Sequence, residues 1–152
     1  MPADRQLIQK SRNIMLVNIE NTLESKGIRP TAMRLLVLDY LLQQTAAVSL
    51  NDLESYFHRS DRVTLYRTLK TFEEKGLVHK IEDGSGSVKY ARCADDCLTH
   101  AHHDLHVHFN CKVCGGTFCL PKSRIPDIPL PEKFLAEEIN LVMKGVCGDC
   151  AA

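Results

Sequence analysis

Seven cysteines and seven histidines stand in a chain of 152 residues, and their placement concentrates the chemistry in one half. All seven Cys fall between Cys93 and Cys150, and five of the seven His fall between His100 and His108. A disulfide framework would spread its bridges along a small secreted chain, and an odd thiol count leaves one over. The start, Met1-Pro2-Ala3-Asp4-Arg5, lacks the basic-then-apolar pattern of a secretory leader. Thiols crowded beside imidazoles therefore read as soft metal ligands in a reducing cytoplasm.

Two Cys-x-x-Cys pairs, Cys111/Cys114 and Cys147/Cys150, carry the strongest signal. Two intervening residues let both thiolates of a pair bend round one ion, and four thiolates at about 2.3 Å close a tetrahedral zinc site. Gly115, Gly116, Gly145 and Gly148 permit the turns that such knuckles need. A redox Cys-x-x-Cys is the alternative, but two pairs in one small unit favour a structural zinc that supplies much of the local stability. Cys93, Cys97 and Cys119 are then left over. His106 and His108 alternate with Val107 and Phe109, so a strand there projects both imidazoles from one face. Cys119, on the following apparent strand Thr117–Leu120, can cross to join them at a second metal. A flexible His-rich tail is the plainer reading, and the strand alternation speaks against it.

The elements that position these residues fall into two halves. With 44% hydrophobic and 25% charged residues, the chain suits one ordinary domain or two small ones, not a disordered one. No apolar run approaches the ~18 residues of a membrane span. Aromatics make up 6% and Trp is absent, which argues against a stacking-rich surface. Nineteen basic against nineteen acidic residues exclude binding to nucleic acid or membrane by bulk charge. Residues 4–26 read as a helix with Leu7, Ile8, Met15, Leu16, Ile19 and Leu23 as its apolar face, ended at Gly27. A second helix opens at Pro30-Thr31, a third is capped by Ser49, and a fourth is capped by Ser60 or Asp61 and stopped by Gly76. Leu77–Ile81 and Val88–Ala91 then alternate as a β-hairpin around the turn Asp83–Ser87.

Short helices followed by a hairpin predict a winged helix, whose last helix lies in the DNA major groove. Arg62, Thr64, Tyr66, Arg67 and Lys70 offer donors and a ring to phosphates and base edges. The charge excess of this half is modest, so a solvated helix face in a generic helical module is the competing reading. Pro121, Pro126, Pro129 and Pro131 punctuate a loop before a turn near residues 132–136 and a strand over residues 138–144. So few strands need a metal and pairing between copies of the sheet to be stable.

In this order the pieces resemble the Fur family of metal-responsive repressors over nearly the whole chain. The stretches that carry the likeness are Gly27–Arg34, Val63–Leu69, Glu74–Val78, the run His106-x-His108-x-x-Cys111-x-x-Cys114-Gly115, and Gly145-Val146-Cys147-x-x-Cys150. The resemblance implies an α+β chain. An N-terminal winged helix-turn-helix over residues 1–83 would be joined by a hinge at 84–92 to a small α/β dimerisation domain over 93–152, with its structural four-cysteine zinc site. It also implies a cytoplasmic homodimer that binds palindromic double-stranded operator DNA once a regulatory metal is loaded, with no membrane partner. Tyr66 and Arg67 match DNA-contacting residues of the recognition helix, and Arg29 matches a basic residue used near the minor groove.

The regulatory metal follows from the same likeness. Iron- and peroxide-sensing branches take a His before the third helix, where this chain has Val48, and a carboxylate after the first knuckle, where it has Cys119. The family's additional site would meet Leu105 and Val107, which cannot ligate. His79 and Cys93 instead look like regulatory ligands of the zinc uptake regulators. The implied sensory set is His79, Cys93, His106, His108 and Cys119, with Cys97, His100 and His103 as substitutes. Thiolates with imidazoles favour Zn(2+) over Fe(2+) or Mn(2+), so the chain reads as a zinc-sensing repressor of zinc uptake genes. A repressor answering to iron, manganese or peroxide is the alternative. A zinc-dependent hydrolase is remote, because the His-x-His-x-Asp-His order of such enzymes is absent and the chain is short for their scaffold. His58 reads as a surface residue.

Overall fold

The helices of the front half begin where short polar side chains can take up orphan backbone amides. In the computed structural model, residues 2–92, 106–137 and 139–152 are described, with the backbone alone at 2–13, 106, 121, 122 and 124. Helix α1 spans Pro2–Ser25. Thr31 caps α2 (Ala32–Leu42) by accepting from the Arg34 amide. Ser49 caps α3 (Leu50–Tyr56) in a reciprocal box: its hydroxyl accepts from the Asp52 amide, and Asp52 accepts from the Ser49 amide. Asp61, not Ser60, caps α4 (Arg62–Glu74) by accepting from the Thr64 amide at 3.1 Å.

Leu65, Leu69 and Phe72 follow helical spacing on α4 and are fully buried against Leu38, Leu41 and Leu53. Ile19 and Leu23 add the last turns of α1 to this core, whereas Met15 and Leu16, expected on the same face, are exposed. Among the residues of α1 whose side chains are described, the apolar stripe is buried at Ile19 and Leu23 and uncovered at Met15 and Leu16.

The hairpin follows as β2 (Val78–Glu82) and β3 (Val88–Arg92), joined by a short β1 (Val48–Ser49) in the antiparallel order β1-β3-β2. Residues 88–92, the greater part of the expected hinge, thus form the central strand of the winged-helix sheet, held on both edges by backbone ladders. Gly84 and Gly86 turn the hairpin with φ of 79° and 86°.

The second sheet has β4 (His106–Cys111) at its centre, antiparallel to β5 (Thr117–Arg124) and parallel to β6 (Val142–Gly145). A parallel neighbour requires a long crossover, and the proline-punctuated residues 125–141 provide it. β5 is an edge strand and so tolerates Pro121; the β4–β5 register slips beside it, between His106 and Val107. A short helix α5 (Gly148–Ala151) closes the fold at the second Cys pair.

The two sheets meet through polar contacts. The Ala47 amide donates to the Thr117 carbonyl at 2.7 Å, and Asn140 donates to the Glu82 carbonyl at 3.0 Å. Between them, the Asp83 carboxylate is sealed from solvent and pairs with Lys89 at 2.6 Å. Burial pushes that carboxyl up, but hydrogen bonds from Lys89, Ser85 and Thr117 outweigh it and hold the group well below the usual carboxylate range.

Two outcomes follow. Leu69→Ala should cost about 2–5 kcal/mol of stability, read by chemical denaturation, because it opens a cavity in a fully buried position. Because Asp83 is more acidic folded than unfolded, its contribution is complete above its ordinary value of 3.8 and fades as pH falls below it. Acid titration of Asp83→Asn should therefore show a shallower loss of stability than the unmodified chain below about pH 4.

Candidate metal centres

The end of β4 brings the first pair of thiols against the second. Cys111 faces Gly145 in the parallel β4–β6 ladder, and the Lys112 amide donates to the Gly145 carbonyl. The chain then turns at Gly115, whose φ of 72° favours glycine, while α5 starts at the other pair with Cys147 as its N-cap. Cys111, Cys114, Cys147 and Cys150 thereby place four sulfurs within 4.8 Å of one another. The Cys114 and Cys147 sulfurs stand 3.8 Å apart, which is about the edge of a tetrahedron drawn around one ion with 2.3 Å bonds.

The electrostatics of these thiols fit the same use. Backbone amides of Cys114, Cys147 and Val113 point at the Cys111 sulfur and lower its pKa to about 6, making it a ready thiolate. The Cys150 thiol is pushed up to about 12, first by its hydrogen bond with Cys147 and then by burial. Four sulfurs this close cannot all ionise without a cation among them, so loading a metal must expel protons. The set can hold one soft divalent ion and leaves no ligand position open.

The second cluster is assembled by pairing across strands. His108 on β4 sits directly opposite Cys119 on β5, which puts both side chains on one face of the sheet. His79 reaches them from β2 of the other sheet, where it pairs with Ala91. Its Nε2 lies 3.3 Å from His108 Nε2 and 3.2 Å from Cys119 Sγ. Two imidazole nitrogens at about 3.3 Å have the separation of tetrahedral ligands around zinc at 2.0 Å. All three ligand atoms lie within 4.8 Å of one another, with both histidines buried. This cluster can hold a metal across the boundary between the sheets.

Of the other expected ligands, His106 lies on β4 two residues before His108, with only its backbone described. Cys93, Cys97, His100 and His103 lie outside the described residues. The expected DNA-facing residues Arg62, Thr64, Tyr66 and Arg67 on α4, and Arg29 just before α2, are all exposed. Val63, counted with the apolar positions of that helix, turns outward beside them with 51% exposure. Arg62 is tied to Glu54 and Asn51 of α3. A groove of about 430 Å³ between α4 and the hairpin is lined by Arg62, Tyr66, Lys70 and Lys80. His58 is exposed. Missing from the expectations are Asp83, Lys89, Asn110 and Thr117, whose only sequence signal is an Asp heading a Gly-Ser turn.

Residues 25–142 match the ferric uptake regulator family, which is most of the chain. The chain belongs to that family. It is a metal-responsive regulator, and members of the family are transcriptional regulators, not enzymes. The peroxide operon regulator of Bacillus subtilis strain 168 is 27% identical over 141 residues, covering 86% of this chain and 89% of that protein. The ferric uptake regulation protein of Neisseria gonorrhoeae is 29% identical over 143 residues, covering 86% and 91%. Among solved structures, a zinc uptake regulator complexed with zinc and DNA shares the fold with a TM-score of 0.64. It is 22% identical and covers 91% of this chain and 94% of that one.

Metal analysis separates the two clusters. Cys114→Ser should release one equivalent of metal per chain and unfold the second sheet, seen as lost amide dispersion of residues 107–120. Cys119→Ser should release a different equivalent and leave that sheet folded.

Proposed function

We propose that this regulator is a zinc-responsive repressor that binds double-stranded operator DNA as a homodimer. The observation that carries the reading is the His79–His108–Cys119 cluster, which draws its ligands from both sheets. Its nitrogen and sulfur donors favour Zn(2+) over Fe(2+) or Mn(2+). By the family resemblance, Cys93 and His106 are the further ligands. Cys111, Cys114, Cys147 and Cys150 hold a separate, structural zinc.

Zinc at the sensory cluster supplies a rigid link with no redox chemistry of its own. The chain's residues do the rest. His79 belongs to the winged-helix domain, and His108 and Cys119 belong to the second domain, so drawing the three together orients α4 relative to the dimer. Tyr66 and Arg67, with Arg62, Thr64 and Arg29, then meet successive phosphates and base edges. Arg62 must exchange its Glu54 carboxylate for phosphate to do so. A palindromic operator matches the two-fold symmetry of the pair. The dimer reading is supported by apolar side chains left exposed in the second half, among them Ile128, Leu130, Phe134, Leu135 and Met143, with Leu135 91% exposed. Among the described residues no helix is long and apolar enough to cross a membrane. Control of zinc uptake genes in the cytoplasm is the biological setting that this reading implies.

By linkage, a metal that favours the DNA-binding arrangement must itself be held more tightly on DNA. Fluorescence anisotropy of a palindromic duplex, titrated at fixed free zinc, iron(II) or manganese(II), tests the proposal. Zinc should raise affinity roughly 5- to 150-fold. A stronger response to iron(II) or manganese(II), or none to any metal, would overturn it. Arg67→Ala should weaken binding at saturating zinc by about 1–3 kcal/mol if it reads a base, with no change in metal content.

A further inference from the structure

A densely bonded polar cluster lies on the boundary between the two sheets, apart from both sets of candidate ligands. At its centre, Asp83 Oδ2 accepts from Thr117 Oγ1 at 2.5 Å, from Lys89 Nζ at 2.6 Å and from Asn110 Nδ2 at 3.3 Å. The Ser85 amide donates to Asp83 Oδ1 at 2.9 Å. Lys89 also donates to the Gly115 carbonyl and to Thr117 Oγ1, each at 3.0 Å. Asp83, Ser85 and Lys89 come from the hairpin, whereas Asn110, Gly115 and Thr117 come from β4, β5 and the turn between them. The carboxylate is fully buried and the Lys89 side chain is 13% exposed.

A bare buried ion pair gives little net stability. This carboxylate, however, is satisfied by four donors, hydrogen bonds to a charged group contribute more than neutral ones, and losing some of them is costly. When the sheets are docked, Asp83 has its donors; when they are apart, water replaces them. An arrangement in between leaves a desolvated charge short of hydrogen bonds. Such a cluster favours complete docking over partial docking, which makes it suited to a two-state boundary. Its residues are also interleaved with the candidate ligands. Asn110 lies on β4 between His108 and Cys111, Thr117 starts the strand that carries Cys119, and Asp83 follows the strand that carries His79. The backbone bond from Ala47 to Thr117 fastens the same strand to the winged-helix domain.

We infer that Asp83, Lys89, Asn110 and Thr117 form a latch that docks the hairpin on the second sheet and so presets the distance from His79 to His108 and Cys119. They are positioning residues, touching neither metal nor DNA. The inference rests on the zinc-responsive reading given above, because it concerns how much metal is needed to reach the DNA-binding arrangement. With the latch intact, the ligand-competent arrangement is well populated before metal arrives. Without it, the apparent metal affinity is the intrinsic affinity multiplied by the fraction of molecules still docked. Saturating metal then restores docking, and DNA affinity returns.

The test is duplex anisotropy at graded, chelator-buffered free zinc, using the full chain with Asp83→Asn/Lys89→Met and, separately, Thr117→Val. The double substitution removes both charges together, so neither is left buried alone. The midpoint should move to roughly five- to tenfold higher free zinc in both variants, with wild-type affinity at saturating zinc and the metal equivalent of the four-cysteine site retained. An unchanged midpoint in either variant, or a loss of DNA affinity that saturating zinc does not restore, overturns the latch. Hydrogen exchange supplies a readout independent of DNA and of the zinc response. The Ala47 amide should be protected in the unmodified chain and exchange faster in both variants. Rapid exchange in the unmodified chain overturns the latch whatever the metal response. Metal-independent DNA binding of the unmodified chain with Ala47 protected overturns the zinc reading instead.

Discussion

A three-stranded sheet with two fully buried hydrophobic side chains among its described residues is the constraint from which the second half of this regulator follows. Among its described residues, Val107 and Cys111 are the buried hydrophobic positions, and the others that reach the interior are His108 and Thr117. Hydrophobic burial of this size cannot offset the entropy of ordering the strands. Three other sources of order are therefore recruited at its margins: four thiols at one end, a polar seam against the hairpin, and an uncovered apolar surface that a second copy can hide. Each ties the stability of the sheet to something that can be present or absent. A domain stabilised from outside is well placed to sense its surroundings.

The front half is organised on the opposite principle. Fourteen buried hydrophobic residues make one continuous core through α1, α2, α3, α4 and the hairpin. That core gives α4 a rigid base from which Tyr66 and Arg67 project. On the proposed function, recognition then needs little net charge, which reconciles a formally neutral chain with binding to a polyanion. On that proposal the rigid half presents and the conditional half decides, and His79 is the side chain of the first that joins His108 and Cys119 of the second.

Local signals in the sequence were sufficient for the helix starts, since a cap involves residues three apart: Thr31 with Arg34, Ser49 with Asp52, Asp61 with Thr64. The meeting of the two Cys-x-x-Cys pairs was equally legible, because four thiols of that spacing have few other uses. Strand alternation puts His106 and His108 on one face with Cys119 on the next strand able to reach them; the register that sets His108 opposite Cys119, and the slip between His106 and Val107, have no local signal. The run Gly84-Ser85-Gly86-Ser87 shows why a linker and a hairpin turn are hard to tell apart in sequence, since both take that composition. Invisible altogether was the cluster around Asp83, whose donors Asn110 and Thr117 lie 27 and 34 residues away in sequence. No local pattern encodes such a contact. On α1, Met15 and Leu16 share the rough apolar face of Ile19 and Leu23 yet are exposed, because sequence periodicity does not say how far the opposing surface extends.

The parallel pairing of β4 with β6 has a consequence for the order in which a newly unfolded chain regains its shape. β4 and β5 are joined by a short turn, so their antiparallel ladder closes a small loop and forms early. The pairing of His108 with Val142 must close a much longer one across the proline-rich crossover. Between these events Cys111 and Cys114 are preassembled while Cys147 and Cys150 are still searching. That interval leaves a half-built thiol site, open to air and to the wrong thiol partner. Reductant present throughout refolding, and metal present as β6 docks, suit the order in which this topology assembles.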